Sequence, residues 1–394
     1  MGKKSDLKPK NILDFLFNEE RRSSVLLLCA AGAALVIANS NAANTYFNFF
    51  EHYLKVGAVS LDIKHWINEG LMAIFFLVVG LEIKRESIDG ELQTWRKAAF
   101  PVVAAIGGMV VPALIFTAFN PYVPQNSGWA IPMATDIAIA LGVLGLLGNK
   151  IPKSLRIFLL TLAIVDDIGS IIIMGIFYNQ PSNMLALTLA CIAALSLTIV
   201  RRLKQWAVLF AGIGLALWYC LLLAGVSATL AGVVIALLMP LTAKKQHKNL
   251  QAAENTEKLL LPVTSYIIVP LFVFANAGIV LRGLSLTNDG NLSVFLGVLV
   301  GLFIGKPLGI VTSSWIGHVT KIAIKPRTIT WSQLVGVGCI AGIGFTISIL
   351  ITDLAYMQHA PLKDAATIGI FFASFLSGSV GVWVLRRVTK NKLR

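Results

Sequence analysis

Apolar runs long enough to cross a bilayer as helices recur from one end of this chain to the other, and no other feature limits its fold so sharply. A hydrocarbon core about 30 Å thick needs about 20 apolar residues in helical form. Lipid offers the backbone no hydrogen-bonding partners, so such runs fold as helices rather than as open strands. Hydrophobic residues make up 56% of the 394 residues and charged residues only 13%, which excludes a water-soluble domain of this size. The class that remains is an all-α, polytopic membrane protein.

Twelve candidate spans can be drawn, at about 15–38, 62–89, 98–119, 124–147, 154–178, 184–201, 206–224, 227–241, 254–280, 294–317, 331–354 and 361–387. Lysines and arginines then orient them. They cluster at the N-terminus, at the C-terminus and at every second connection, among them Lys84, Arg85, Arg96, Lys97, Lys150, Lys153, Arg201, Arg202, Lys244, Lys245, Lys321 and Lys325. The opposite side holds Lys55, Lys64, Arg282 and Lys363. By the positive-inside rule both termini are cytoplasmic and the number of spans is even. The net charge of +14 is then a property of short cytoplasmic loops, not of a nucleic-acid surface. The acid-containing N-terminal lead argues for a retained first helix over a cleaved signal peptide. The four cysteines lie scattered in apolar runs and the five histidines are not clustered, so neither a disulfide framework nor a metal cluster is expected.

The longest external connection, about 39–61, contains YFNFF and YLKVGAVSLDI. Strand-forming residues around a glycine suggest a hairpin there. A free sheet edge invites pairing with a second copy, so a homodimer is the expected assembly, although an ordinary loop fits the same residues.

Against this background the deep charges stand out. Asp166 and Asp167 sit together in RIFLLTLAIVDDIGSIIIMGIF, from Arg156 to Phe177. A carboxylate at that depth costs about 2.5–3.5 kcal/mol on insertion scales, and such residues mark ion or proton pathways. Asp136 lies in AIPMATDIAIALG beside Thr135 and four residues after Pro132, a proline that frees a backbone carbonyl. Lys306 lies in LFIGKPLGI, and a buried ammonium needs a partner. Neighbours on a helix point about 100° apart, so one of Asp166 and Asp167 can turn to Lys306 while the other faces a cavity. A plain salt bridge between spans 5 and 10 would leave the second aspartate and Asp136 without a role.

Span 11 carries a second interruption, CIAGIGFTISIL, with Gly342 and Gly344 around Ile343. Two close glycines permit an unwound crossing, and they equally suit close helix packing. Span 4 is the middle of the triplet 3–5 and span 11 the middle of 10–12. The odd offset of seven inverts the second triplet in the membrane. The reading is therefore a single membrane domain over 1–394 with an inverted-topology repeat, about 98–178 and 294–387, and two discontinuous helices crossing at mid-membrane. That pattern points to a transporter with a midplane site.

At these residues the chain resembles the NhaA family of sodium/proton antiporters. The motifs are HWINEGLMAIFFLVVG at 65–80, GLEIKRE at 80–86, TDIA at 135–138, AIVDDIG at 163–169, VSATLAG at 226–232, PLFVFANAG at 270–278, IGKPLGI at 304–310 and GIGFTISI at 342–349. That family is itself a standard example of the inverted repeat, so the two readings are not independent. The resemblance implies an electrogenic, pH-dependent exchanger of Na+, and of Li+, for H+ in a bacterial inner membrane, a transporter rather than an enzyme, without a cofactor. It implies that Na+ binds at Asp167 with Asp166 beside it, that Asp166 pairs with Lys306, and that Asp136 and Thr135 sit at the crossing of the broken helices. Glu82, Arg85, Glu86, Glu254 and Glu257 would form a cytoplasmic funnel that responds to pH. Ser227, Lys258 and Leu261 stand at or near positions where several relatives carry histidine, so a sensor built on those histidines is not expected here.

A sodium ion prefers hard oxygen ligands, and a carboxylate also accepts protons. One site can therefore take either cation but not both, which is the basis of exchange by alternating access. An intramembrane aspartyl protease would need two aspartates on separate helices facing one water. A channel would favour rings of carbonyls or acids. A cation-coupled symporter of a small organic solute is the alternative of the same architecture, and would need more polar groups in its cavity than Lys306.

Overall fold

The computed structural model describes residues 12–56, 59–89, 95–145, 147, 151–178, 183–200, 206–239, 250–280, 289–326 and 328–390. The described chain is almost entirely helical, with α1 (Ile12–Ala38), α2 (Ala43–Glu51), α3 (Ile63–His65), α4 (Met72–Asp89), α5 (Trp95–Phe119), α6 (Ile137–Gly145), α7 (Lys153–Phe177), α8 (Met184–Val200) and α9 (Trp206–Ala224) in its first part. Then follow α10 (Leu230–Leu238), α11 (Leu250–Val263), α12 (Val269–Asn276), α13 (Asp289–Val300), α14 (Lys306–Val319), α15 (Trp331–Ala341), α16 (Phe345–Ala355) and α17 (Ala360–Lys390). Wider π-helical turns at 66–71, 264–268 and 301–305 join α3 to α4, α11 to α12 and α13 to α14 into continuous rods. Among the described residues, seven helices are long and apolar enough to cross a membrane, or ten if each bent pair is one span. The expected spans at 184–201 and 227–241 take the form of the 17-residue α8 and the nine-residue α10. Many outward-facing side chains are apolar, with Leu185, Ile192, Val208 and Phe375 each more than half exposed, as suits helices bathed in lipid.

Two of the bends fall where the sequence is interrupted. The turns 125–133 and α6 meet at 42°, and α15 and α16 meet at 47°. Pro132 removes a donor in the first break. Gly342 and Gly344 serve both readings of the second. The chain unwinds there, and a side chain at Gly344 would press against Leu302 at 3.0 Å and the Ala134 carbonyl at 3.1 Å.

The connection expected on the outer side is partly helical. YFNFF is helical, within α2, and only 53–56 and 59–62 form the antiparallel hairpin, with Tyr53 opposite Asp62. Tyr46 and Phe50 lie one turn apart and are both buried, in edge contact with Phe274. Burying that face outweighs the strand preference of aromatic residues.

Two cores organise the packing. A smaller one joins α8, α9 and α10 to the α4 face, with Leu197, Phe210 and Leu217 at its centre. The larger surrounds the breaks. Here α5 and α14 approach backbone to backbone, because a Cβ on Gly309 would lie 2.7 Å from the carbonyl carbon of Gly107. The same approach lays the Lys306 stem over Gly108. Gly309→Val should therefore lower the thermal unfolding midpoint in detergent. The overpacking cost is about 1–3 kcal/mol or more, whereas Leu308→Val, at an exposed position one residue away, should change the midpoint little.

Candidate functional site

The breaks leave helix ends inside the protein, and the site is built from the groups that satisfy them. Asp136 precedes α6 and lies 3% exposed. Its Oδ1 accepts the Ile139 N–H at 3.0 Å. Its Oδ2 accepts the Thr346 N–H at 3.1 Å and the Thr346 hydroxyl at 2.7 Å. One carboxylate thus caps the first turns of α6 and α16, where unpaired N–H groups and the positive end of each helix dipole favour negative charge. The two unwound segments also bond directly, with the Asp136 N–H donating to the Ile343 carbonyl at 2.6 Å. The Ser348 hydroxyl donates to the Ile131 carbonyl at 2.7 Å.

Lys306 plays the opposite part. It is wholly buried, donates to the Met133 carbonyl at the end of the first half-helix, and pairs with Asp166 Oδ2 at 2.7 Å. Its charge therefore meets a carbonyl and a carboxylate together, as a cation at a helix C-terminus should. Thr135 Oγ1 lies 2.7 Å from the same Asp166 oxygen and 2.9 Å from the Ala341 carbonyl. With a single proton it donates to one of them at a time. Asp136, Thr135, Asp166 and Lys306, separated by up to 171 residues in the chain, thus share one contiguous site.

Asp167 turns away, as the helical period requires. Its Oδ1, Asp166 Oδ1 and Ser170 Oγ are buried oxygens with no hydrogen-bond partner among the described residues. All three lie within about one turn of α7. Buried polar atoms are ordinarily satisfied, so a patch of unmet oxygens suits a hard cation.

Four of the five residues expected in a funnel, Glu82, Arg85, Glu86 and Glu257, form a second cluster. Arg85 makes a close ion pair with the buried Glu257 and lies 3.9 Å from both Glu82 and Glu86. This ties α4 to α11. The Glu254 side chain lies outside the described residues. Glu82 is within electrostatic reach of Asp167, so the two clusters are electrostatically linked. Ser227 is buried, 2.7 Å from Thr229 Oγ1 and 3.4 Å from the Glu69 carboxylate, and Glu69 also accepts the Ala228 N–H at 2.6 Å. Lys258 is exposed and Leu261 half-buried on α11.

Sequence reasoning missed Thr346, Ser348, Ser170 and Glu69. Thr346 and Ser348 stand inside the GIGFTISI motif, where polar residues after a broken helix were a usable signal. Glu69 sits in a polar stretch near the start of its span and carried none.

A family model described as Na+/H+ antiporter 1 matches residues 14–385. The chain belongs to that family. A protein of Nitrobacter hamburgensis named Na(+)/H(+) antiporter NhaA is 45% identical, over 98% of this chain and 93% of that protein. One of Clostridium beijerinckii named Na(+)/H(+) antiporter NhaA 1 is 43% identical over the full length of both. One of Escherichia coli O139:H28 with the NhaA name is 45% identical, over 94% of this chain and 96% of that protein. Membership of the family, together with the apolar helices, makes the chain a multi-pass membrane protein of a transporter family.

Proposed function

We propose that this antiporter-family chain exchanges sodium ions for protons by alternating access, with Asp167 as the main cation ligand. The observation that carries the reading is the contrast between the two aspartates. Asp166 is held through Oδ2 by Lys306 and Thr135, whereas Asp167 has no ion pair among the described residues, and each keeps a buried Oδ1 without a hydrogen-bond partner there. A sodium ion gains carboxylate and hydroxyl oxygens there, from Asp167, Asp166 and Ser170, and a proton gains the same carboxylate. Sodium arriving from the cytoplasm displaces protons, the site turns outward, and protons replace sodium. The proton gradient then drives sodium out.

The finer fold reading belongs to the same proposal: twelve crossings, the inverted repeat of 98–178 and 294–387, cytoplasmic termini and an inner-membrane location. Lithium is proposed as a second substrate on charge and size. A homodimer is proposed through the hairpin, whose edges have no further strand beside them among the described residues. Each relative named above carries an antiporter name, and nothing supports the symporter reading.

Competition makes a quantitative prediction for everted vesicles. The pH at which acid halves the activity should fall as sodium rises. A tenfold increase moves it by about one unit if one proton competes, and by about half a unit if two protons compete together. A midpoint independent of sodium would overturn shared occupancy. Loss of the ΔpH response with Na+ and Li+ alike would overturn the exchange itself.

A further inference from the structure

A second polar network lies at the far end of α16 from Asp136. Asn68 in the π-helical turns, Asn276 at the end of α12, Asp353 on α16 and Lys363 in the first turn of α17 meet there. The Asn68 amide donates to Asp353 Oδ2 at 2.9 Å and to Asn276 Oδ1 at 3.3 Å, which uses both of its protons. The Asn276 amide donates to Asn68 Oδ1 at 2.8 Å and to the Phe272 carbonyl at 2.9 Å, which uses both of its own. Lys363 holds Oδ1, the other Asp353 oxygen, in a close ion pair. Lys64, Asp364 and Asp62 lie in the same electrostatic neighbourhood.

We infer that Asn68, Asn276 and Asp353 form the latch that closes the external side of the transport path. The inference rests on the proposed exchange function and on the orientation that goes with it. Two features of the geometry point to a latch rather than to ordinary packing. The bonds join separate rods, the Ile63–Ile88 span and α12 on one side and α16 on the other, through side chains alone. Moreover, α16 is a single stiff helix with the Asp136 contact of Thr346 in its first turn and Asp353 seven residues on, about 10 Å along its axis. A displacement of the break at the ion site is thereby carried to the latch, and release of the latch frees the outer end of α16.

The network also suits repeated opening. Amide and carboxylate groups that part here and meet water exchange one set of hydrogen bonds for another, so opening costs about one hydrogen bond to a charged group rather than the full desolvation of unmet polar atoms. An apolar seal at the same place would bind the two sides more permanently.

The test uses the full chain with Cys29, Cys191, Cys220 and Cys339 replaced by serine, carrying Asn68→Cys and Asp353→Cys together. A short bifunctional thiosulfonate reagent added to proteoliposomes should join the two positions and reduce sodium-dependent proton movement to background, and a reductant should restore it in the same sample. Restoration shows that the protein is folded and that the block is mechanical. In a separate variant, Asp353→Ala should raise the cytoplasmic sodium concentration for half-maximal activity by at least about tenfold, the equilibrium equivalent of losing one hydrogen bond to a charged group. The maximal rate should be retained and Asp353→Glu should remain close to the parent. Full transport by the cross-linked pair, failure of the pair to cross-link, or an unchanged half-saturation in Asp353→Ala would each overturn the latch. If the serine-substituted parent itself moves no protons in response to sodium, while the protein remains folded, the proposed exchange fails instead.

Discussion

Asp167→Asn should abolish sodium-dependent proton movement in proteoliposomes while leaving the protein folded. The amide is nearly isosteric with the carboxylate, so packing on α7 is preserved. It can neither bind a proton nor place a negative charge on the ion. Because Asp167 Oδ1 has no hydrogen-bond partner among the described residues, the substitution breaks no bond that Oδ1 makes to the protein. The unfolding midpoint should therefore change little, by under about 1 kcal/mol in stability. Transport should fall to the level of empty vesicles at every pH tested. A variant that retained sodium-dependent proton movement would remove Asp167 from the centre of the mechanism.

The second large effect concerns Lys306. Lys306→Ala leaves Asp166 buried without its cation and leaves the Met133 carbonyl without its charged donor. Removing one partner of a buried pair costs about 3–5 kcal/mol, because the remaining charge is uncompensated. The unfolding midpoint should drop sharply. Adding Asp166→Asn to the same chain removes the stranded charge, so the double variant should recover much of the loss. The coupling in a double-mutant cycle should be large, with the double variant losing much less than the sum of the two single losses. If the two effects simply add, the pair does not bear on stability. The cycle also addresses transport. If the Asp166–Lys306 pair exchanges a proton in each cycle, the double variant should move less net charge per sodium, read as a weaker dependence of uptake on membrane potential.

The residues of this site were unusually legible in the sequence, and the reason is energetic. Ionisable groups inside apolar runs are so costly that few remain, and Asp136, Asp166, Asp167 and Lys306 stood out without any knowledge of contacts. The helical period already required Asp166 and Asp167 to face different ways. The interruptions at Pro132 and at Gly342–Gly344 were legible for a related reason, since proline and paired glycines weaken a helix wherever it is placed. By contrast, Asn68, Asn276 and Asp353 carry no such mark. Asparagine and acid residues near the ends of spans are ordinary, and only their convergence from three separate elements makes them a network. Within the connection expected to hold a hairpin, the aromatic residues of YFNFF favour strand locally, whereas burial of Tyr46 and Phe50 against Phe274 decides for helix.

Hydropathy, charge bias and helical period are properties of the chain taken a few residues at a time. They carried the helical class, the expected orientation, the broken spans and the identity of the buried charges. Partner choice is not a local property. That Lys306 answers to Asp166, that one carboxylate on Asp136 caps both α6 and α16, and that Arg85 closes on Glu257 depends on helices up to 210 residues apart in sequence coming into register. Close glycine contacts such as Gly107 with Gly309 set that register. Packing of whole helices, rather than any stretch of sequence, therefore decides which buried oxygen a protein group satisfies and which keeps no hydrogen-bond partner among the described residues.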